Sequence, residues 1–113
     1  MFNLFPKRAA APDATAIAHD ELEQALSDGA CAIVDVREPD EYATGHIPGA
    51  VNLPMSRFDA GQLPAGKPVV LVCRSGGRSA NALRQALAAG RRDVRHYAAG
   101  TLGWRERGGQ VVR

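Results

Sequence analysis

The chain has 113 residues, which suits one small domain. Its apolar fraction of 45% is normal for a protein that buries a core, and its net charge of +2 is too small to argue for binding to nucleic acid or to an anionic membrane. Two cysteines are too few for a disulfide-stapled secreted scaffold, and no apolar run approaches the ~18 residues of a membrane helix, so we expect a reducing, cytoplasmic location.

The first fourteen residues differ in composition from the rest of the chain. Residues 1–14 mix proline, alanine and charge without any period, so we expect a flexible N-terminal tail. Its apolar part is short and its charges follow the apolar residues, which is not the order of a signal peptide. One domain is expected over residues 15–113.

Strand and helix patterns alternate along that domain. Strands are predicted over residues 15–18, 31–37, 50–54, 68–73 and 93–97. Helices are predicted over 19–29, 38–45, 78–90 and 101–108, and in the third of these we expect Ala80, Leu83 and Leu87 to share the buried face. Residues 55–67 are expected to form a loop with one helical turn.

Two of the strand segments are apolar without interruption. Such runs, over 31–37 and 68–73, are typical of strands covered on both faces. Strands of this kind separated by helices predict an α/β fold in three layers, with a parallel sheet flanked by helices. Ligands of such folds bind at the carboxyl ends of the strands, which is where Cys73 falls.

The segment CRSGGRS, residues 73–79, combines features that activate a sulfur atom. A helix beginning near Arg78 or Ser79 directs its free N–H groups toward Cys73, and Gly76 and Gly77 permit the backbone to curl into an anion-binding nest. Arg74 and Arg78 add permanent positive charge, and both effects lower the pKa of a cysteine. The segment therefore predicts a nucleophilic thiolate beside an anion site.

Other interpretations of these residues are weaker. A buried structural cysteine fits Cys31, inside an apolar strand, better than Cys73. A P-loop is disfavoured because no lysine followed by serine or threonine ends the glycine segment. His19, His46 and His96 occur singly and no C-x-x-C is present, so we predict neither a metal nor a cofactor.

Three stretches together resemble the rhodanese-like superfamily, and in particular its single-domain members. They are VDVREPDEYATGHIPGAVNLP (34–54), CRSGGRS (73–79) and AAGTLGW (98–104), and the resemblance covers about residues 15–110. Ala99 stands where the family has the first glycine of its G-G-x-x-x-W ending, a departure expected to alter that turn slightly. The resemblance implies a central parallel sheet of five strands.

The resemblance also implies a sulfurtransferase reaction. Cys73 would take the outer sulfur of thiosulfate or a persulfide and pass it to cyanide or a thiol, while Arg74 and Arg78 bind the anionic donor and the leaving sulfite. The loop residues Ser75, Gly76, Gly77 and Ser79 would complete the substrate site. The implied partners are a small anionic sulfur donor, a thiol or cyanide acceptor and, in one version, a protein acceptor.

Two alternatives to a free sulfurtransferase remain open. A sulfur-relay module would deliver persulfide sulfur only to a partner protein, and an exposed apolar rim of Met55, Phe58 and Leu102 would favour it. A phosphatase or arsenate reductase is disfavoured by loop length. The spacing here is C-x-x-x-x-R, one residue shorter than in the phosphatases of the superfamily, and one residue spans up to ~3.6 Å of chain.

The first motif is interpreted as mainly structural. Arg37, near Asp35 at the end of a strand, is expected to pair with Glu41 and hold the following short helix against the sheet. His46 is expected to make a local hydrogen bond before Ile47, and Trp104 to fill the core.

Overall fold

The computed structural model describes residues 15–113, so the tail predicted for residues 1–14 lies outside the described residues. The strands are β1 (Ala32–Asp35), β2 (Val51–Asn52), β3 (Val69–Val72) and β4 (Val94–His96). The helices are α1 (His19–Asp28), α2 (Pro39–Ala43), α3 (Gly77–Ala88) and α4 (Gly100–Glu106), with two 3-10 turns at Met55–Arg57 and Ala60–Gln62. Within this part of the chain no helix has both the length and the hydropathy to span a bilayer.

The four strands form one parallel sheet in the order β2–β1–β3–β4. Val34 of β1 lies between Val51 of β2 and Leu71 of β3, and Leu71 lies in turn beside His96 of β4. The central strands β1 and β3 are covered on both faces, which explains their unbroken apolar sequence. Because all strands run in one direction, the loops that follow β1 and β3 meet at the same edge.

The fifth strand implied by the resemblance is reduced to an isolated bridge. Ala16 pairs in parallel with His96 at the outer edge of β4. The N–H of Ile17 donates to the carbonyl of His96 at 3.0 Å, and the N–H of His96 donates to the carbonyl of Thr15 at 2.9 Å. The pairing ends there because α1 begins at His19, so the sheet formed by residues 15–113 has four strands.

Apolar clusters lie on opposite faces of this sheet. On one face α3 packs against the two central strands, through Val34, Val36, Val69, Leu71, Ala82, Leu83 and Ala86. On the other face α1 and α4 cover the sheet, through Leu22, Ile33, Ile47, Val70, Val72, Tyr97 and Trp104. The α/β class and the flanking helices are thus confirmed, as is the core position of Trp104, which is 4% exposed.

The buried face of α3 differs from the expected one. Its buried residues are Ser79, Ala82, Leu83 and Ala86, whereas Leu87 is 41% exposed and Ala80 is half-buried. The expectation placed the large aliphatic residues inward. Leu83 is buried as expected, but the small side chains of Ser79, Ala82 and Ala86 face inward in place of Leu87, and Ser79 lies against Cys73 at the end of β3.

Helix α2 has the N-terminal structure that its sequence predicts. Pro39 occupies the first turn, where its missing N–H costs no hydrogen bond. Glu38 and Glu41 form a reciprocal capping box across that turn. His46, just beyond the helix, makes the expected local hydrogen bond, its Nδ1 lying 3.0 Å from the carbonyl oxygen of Tyr42.

Helix α4 begins at the position where this chain departs from the family pattern. Ala99 has φ −69° and ψ −20°, an ordinary helical conformation that needs no glycine, so the turn is not strained by the alanine. One turn later, a Cβ placed on Gly103 would lie 2.4 Å from the Cβ of Ala99. The absence of a side chain at 103 therefore makes room for the methyl group at 99.

Candidate active site

Cys73 follows β3 directly, at the carboxyl edge of the sheet, and is 1% exposed. The first turn of α4 holds the backbone around it. The N–H of Thr101 donates to the carbonyl of Cys73 at 2.8 Å, and the N–H of Leu102 donates to the carbonyl of Arg74 at 3.1 Å. Gly100 permits this approach, since its φ is +69° and a Cβ there would lie 2.1 Å from the carbonyl oxygen of Arg74. The start of the loop is therefore fixed by backbone contacts.

The sulfur atom of Cys73 lies inside a ring of hydrogen-bond donors. It accepts hydrogen bonds from the N–H of Gly76 at 3.1 Å and from the N–H of Ser79 at 3.3 Å, and its S–H can donate to Ser79 Oγ at 3.6 Å. The loop closes because Gly76 has φ +102°, and a Cβ at that position would lie 2.4 Å from the carbonyl oxygen of Ala98. Both the fold of the loop and its packing thus require glycine at position 76.

These contacts stabilise the ionised form of the thiol. Burial alone would raise the pKa of Cys73, but the hydrogen bonds from the Ser79 N–H, the Ser79 hydroxyl and the N–H groups of Gly76 and Ser75 outweigh it and lower the pKa below its ordinary value. The lowering comes chiefly from the loop and the first turn of α3. An ionised cysteine in such a ring is suited to nucleophilic attack.

Ser79 connects Cys73 to a histidine. Ser79 Oγ lies 2.9 Å from His96 Nδ1 and 3.2 Å from the carbonyl oxygen of Gly76, to which its hydroxyl can donate. Burial lowers the pKa of His96, so its ring is neutral near pH 7. The side chains of Cys73, Ser79 and His96 thus form one hydrogen-bonded series.

The role of His96 in this series was not predicted from the sequence, where it counted as a lone histidine. The only available signal was its position in the last strand. In a parallel sheet the end of β4 lies beside the end of β3, and His96 pairs with Leu71, two residues before Cys73. The register of the strands was needed to make use of that signal.

The predicted ion pair between Arg37 and Glu41 is wrong. Glu41 instead binds Arg78 in the first turn of α3, with Nη1 to Oε1 at 2.6 Å and Nη2 to Oε2 at 3.0 Å. The hydrogen bonds from Arg78 come first among the causes that lower the pKa of Glu41 to about 2, and burial opposes them. Because α2 and the loop both follow strands at the same edge of the sheet, Glu41 meets Arg78, 37 positions later.

The carboxylate that pairs with Arg37 belongs to Asp35, two residues earlier in the chain. Its Nε donates to both oxygens of Asp35 at 3.0 and 3.1 Å, and Nη2 donates to Asp35 Oδ2 at 2.7 Å. Nη2 also donates to the carbonyl of Gly45 at 2.8 Å. Asp35 is 0% exposed and Arg37 is 4% exposed, so this pair fastens the segment after α2 to the end of β1 from inside the protein.

Arg74 lines a neighbouring cleft of about 250 Å³. This arginine cleft, as we call it below, is lined by Arg37, Thr44, Arg74, Thr101, Leu102 and Arg105. The two loop arginines therefore have separate surroundings, since Arg78 is bound to Glu41 and Arg74 faces the cleft.

The remaining predicted site residues lie around the mouth of the loop. Ser75 is exposed, and Gly77 is the first residue of α3 with open space beside it. Of the expected apolar rim, Met55 and Phe58 are half-buried and pack against the core, whereas Leu102 is 39% exposed.

The two cysteines are free and lie near opposite ends of the sheet. Cys31 immediately precedes β1 and Cys73 immediately follows β3, and Ala32 pairs with Val69 while Asp35 pairs with Val72. Their separation along the strands is roughly 16 Å, well beyond the Cα distance that a disulfide allows. Burial raises the pKa of Cys31, in contrast to that of Cys73.

Comparisons with known proteins agree on one family. The family model described as rhodanese-like domain matches residues 18–107. A sulfurtransferase from Allochromatium vinosum is 34% identical over 96 residues, which cover 82% of this chain and 90% of that protein. A solved structure of a rhodanese-related protein from Thermoplasma volcanium matches with a TM-score of 0.77 and 30% identity, covering 86% of this chain and 96% of the other.

A further relative is longer than the matched region. An uncharacterised protein from Synechocystis is 42% identical over 99 residues, which cover 86% of this chain. The aligned part spans only 55% of the length of that protein.

Proposed function

This chain belongs to the rhodanese-like domain family, and on that premise we propose that it is a sulfurtransferase that moves sulfane sulfur through a persulfide on Cys73. The donor is thiosulfate or a persulfide, and the acceptor is cyanide or a thiol. The single observation that carries the proposal is the environment of the sulfur. Cys73 Sγ accepts N–H hydrogen bonds from Gly76 and Ser79, and its pKa is lowered by them despite burial.

In the first step the Cys73 thiolate attacks the outer sulfur of the donor. A bond forms between Sγ and that sulfur, the bond between the two donor sulfurs breaks, and its electron pair leaves with sulfite or with a thiolate. With thiosulfate as donor, the product persulfide is negatively charged at the transferred sulfur atom. N–H groups that already point toward Sγ are placed to stabilise that charge, as in an oxyanion hole.

In the second step the acceptor removes the sulfur. Cyanide or a thiolate attacks the outer sulfur of the persulfide, the sulfur–sulfur bond breaks, and Cys73 returns as thiolate. Thiocyanate or a new persulfide is the product. No general base is required for either attack, because nucleophile and leaving group are both anionic sulfur or carbon.

The test is the mass of the intact protein after incubation with sulfane donors. We expect the wild type to gain one sulfur atom and a Cys73→Ser variant to gain none. Cys31→Ser is the matched control, because its thiol is remote from the loop and has a raised pKa, and it should be modified like the wild type. An unmodified wild type with thiosulfate and with several persulfides would refute the proposal.

A second candidate function is a sulfur relay, in which a partner protein is the acceptor. Leu102, 39% exposed on the wall of the arginine cleft, favours it, since an apolar side chain beside the nucleophile could contact a partner. The two functions differ in turnover. A relay would form the Cys73 persulfide but release little thiocyanate with cyanide, and a Leu102→Ser variant would lose transfer to a protein thiol while keeping persulfide formation.

A further inference from the structure

The arginine cleft carries more positive charge than its neighbours neutralise. Among residues 15–113, no carboxylate pairs with Arg74 or with Arg105, and the only acid bound to an arginine of the cleft is Asp35, through Arg37. The cleft has three guanidinium groups, and one of them is paired with a carboxylate. Two positive charges are therefore uncompensated around a cleft volume of about 250 Å³. A cleft with this balance is suited to an anionic group.

Two of its side chains are buried and still have hydrogen-bonding capacity. Thr101 is 5% exposed, and its hydroxyl makes no hydrogen bond within the described part of the chain. Arg37 is 4% exposed and uses Nε and Nη2 for Asp35 and Gly45, which leaves Nη1 without a partner in that same range. Buried polar groups are normally satisfied, so unpaired donors lining a cleft point to a ligand with acceptor oxygens.

Arg105 lies against the backbone of residue 45 at the cleft. A Cβ on Gly45 would lie 2.6 Å from Arg105 Nη2, so the guanidinium packs directly on the backbone of residue 45. Arg37 donates to the carbonyl of that same residue. The guanidinium groups of Arg37 and Arg105 therefore both lie next to the backbone of residue 45.

The cleft adjoins the nucleophile. Arg74 is the residue after Cys73, and the first turn of α4, which supplies Thr101 and Leu102 to the cleft, donates hydrogen bonds to the carbonyls of Cys73 and Arg74. A molecule with its anionic end in the cleft and a sulfur-bearing arm could therefore reach the loop.

On the basis of the function proposed above, we infer that the arginine cleft binds the carboxylates of a small organic persulfide whose outer sulfur is transferred to Cys73. Thiosulfate is an ion of only a few heavy atoms and would leave most of the cleft unfilled. Two uncompensated positive charges match a donor with two carboxylates. An amine-bearing persulfide without carboxylates would be repelled by the same charges.

The transfer balances without any further reactant. The Cys73 thiolate attacks the outer sulfur of R–S–SH, the new bond joins Sγ to that sulfur, and the bond between the two donor sulfurs breaks. The electron pair leaves as R–S⁻ and the hydrogen stays on the transferred sulfur, so one negative charge is present before and after. The carboxylates stay in the cleft and take no part in bond making.

The experiment compares two donors that differ only in their carboxylates. They are glutathione persulfide, which carries two carboxylates, and the persulfide of glutathione diethyl ester, which carries none. We expect wild-type kcat/KM to be about tenfold or more higher for the acid, the effect of lost charge-assisted hydrogen bonds. In Arg105→Gln we expect the ratio of the two kcat/KM values to fall toward one.

The matched control is Arg107→Gln, which removes an equal charge near the same end of α4 but outside the cleft, and should keep the wild-type ratio. Binding of S-methylglutathione, which has no sulfur to transfer, gives a second readout by calorimetry and should weaken about tenfold in Arg105→Gln only. Equal rates with acid and ester in the wild type, or equal loss with both donors in Arg105→Gln, would overturn the inference.

This result is distinguishable from failure of the proposed function. If thiosulfate and both organic persulfides leave Cys73 unmodified, the sulfurtransferase proposal itself fails. If Cys73 is modified by all three donors without discrimination between acid and ester, only the assignment of the cleft fails.

Discussion

Arg78, in the first turn of α3, is bound at two points to Glu41 of α2, with donor–acceptor distances of 2.6 and 3.0 Å. The pair connects the loop around Cys73 to the helix that follows β1. Side-chain exposures of 37% and 31% leave it partly in contact with water. Part of the charge of Arg78 is therefore already neutralised by Glu41 when no substrate is bound.

This pair predicts a specific loss of stability in acid. The pKa of Glu41 is about 2 in the folded protein against an ordinary 4.5, so the carboxylate stabilises the fold above the ordinary value and that contribution is lost as pH falls from about 5 to about 2. Because both side chains are about one-third exposed, solvent screening reduces it to ~1 kcal/mol. In urea unfolding at pH 7, the free energy of unfolding of Glu41→Gln should be lower than that of the wild type by this amount. At pH 2 the difference should be close to zero.

The wild type and Glu41→Gln must be compared at each pH because other carboxylates also titrate in this range. Asp40→Asn, which alters an exposed acid of the same helix turn, is the control and should follow the wild-type curve more closely. A constant difference between wild type and Glu41→Gln from pH 7 to pH 2 would contradict the depressed pKa.

Removing the hydroxyl of Ser79 should raise the pKa of Cys73. The hydroxyl is among the groups that stabilise the thiolate, whereas the backbone N–H of residue 79 remains in Ser79→Ala, so we expect the pKa of Cys73 to rise. The pH dependence of iodoacetamide alkylation measures it, with Cys31→Ser as background so that only Cys73 reacts. The hydroxyl of Ser75 is exposed and makes no contact with Sγ, so Ser75→Ala should shift the alkylation midpoint much less. Equal shifts in both variants would count against the Ser79 contact.

His96 should affect the pH midpoint of Cys73 alkylation through its contact with Ser79. A neutral ring with its hydrogen on Nδ1 donates to Ser79 Oγ, so the serine hydrogen can turn from the carbonyl of Gly76 to the thiolate. His96→Leu should therefore raise the alkylation midpoint, by less than Ser79→Ala does. His96→Asn, which can place an N–H near the position of Nδ1, should restore most of the shift, whereas a purely structural role would make both variants alike.

The buried pair of Asp35 and Arg37 should be a major determinant of stability. Asp35→Asn leaves the guanidinium of Arg37 buried with no opposite charge, and such losses cost about 3 kcal/mol or more. Chemical denaturation at pH 7 measures it. Asp93→Asn breaks an exposed pair with Arg91 and should change the midpoint little, so similar effects at the two sites would contradict this account.

Most of the elements could be predicted from the sequence because their signals are local. The unbroken apolar run ending at Val72 indicated a covered strand, and Pro39 with Glu38 and Glu41 indicated the start of α2. Cys73 could be singled out because the glycines and arginines that follow it are adjacent in the chain. These signals depend on neighbouring residues only.

What was missed depends on residues far apart in the chain. Several carboxylates lie within four positions of Arg37 in the sequence, and only the fold decides that Asp35 is its partner and that Glu41 pairs with Arg78. The contact of Ser79 with His96 requires the register of β3 and β4. The orientation of α3 could not be read from hydrophobicity, because its buried face includes Ser79, Ala82 and Ala86 while Leu87 is exposed.

The methyl group of Ala99 and the missing side chain of Gly103 restrict which substitutions this turn can accept during evolution. With alanine at both positions their Cβ atoms would be 2.4 Å apart, so that combination is forbidden unless the backbone moves. A lineage that starts from glycine at 99 and a larger residue at 103 must lose the side chain at 103 before it gains one at 99. The two sites are therefore expected to covary among homologues, and the order of the two substitutions to be set by sterics alone.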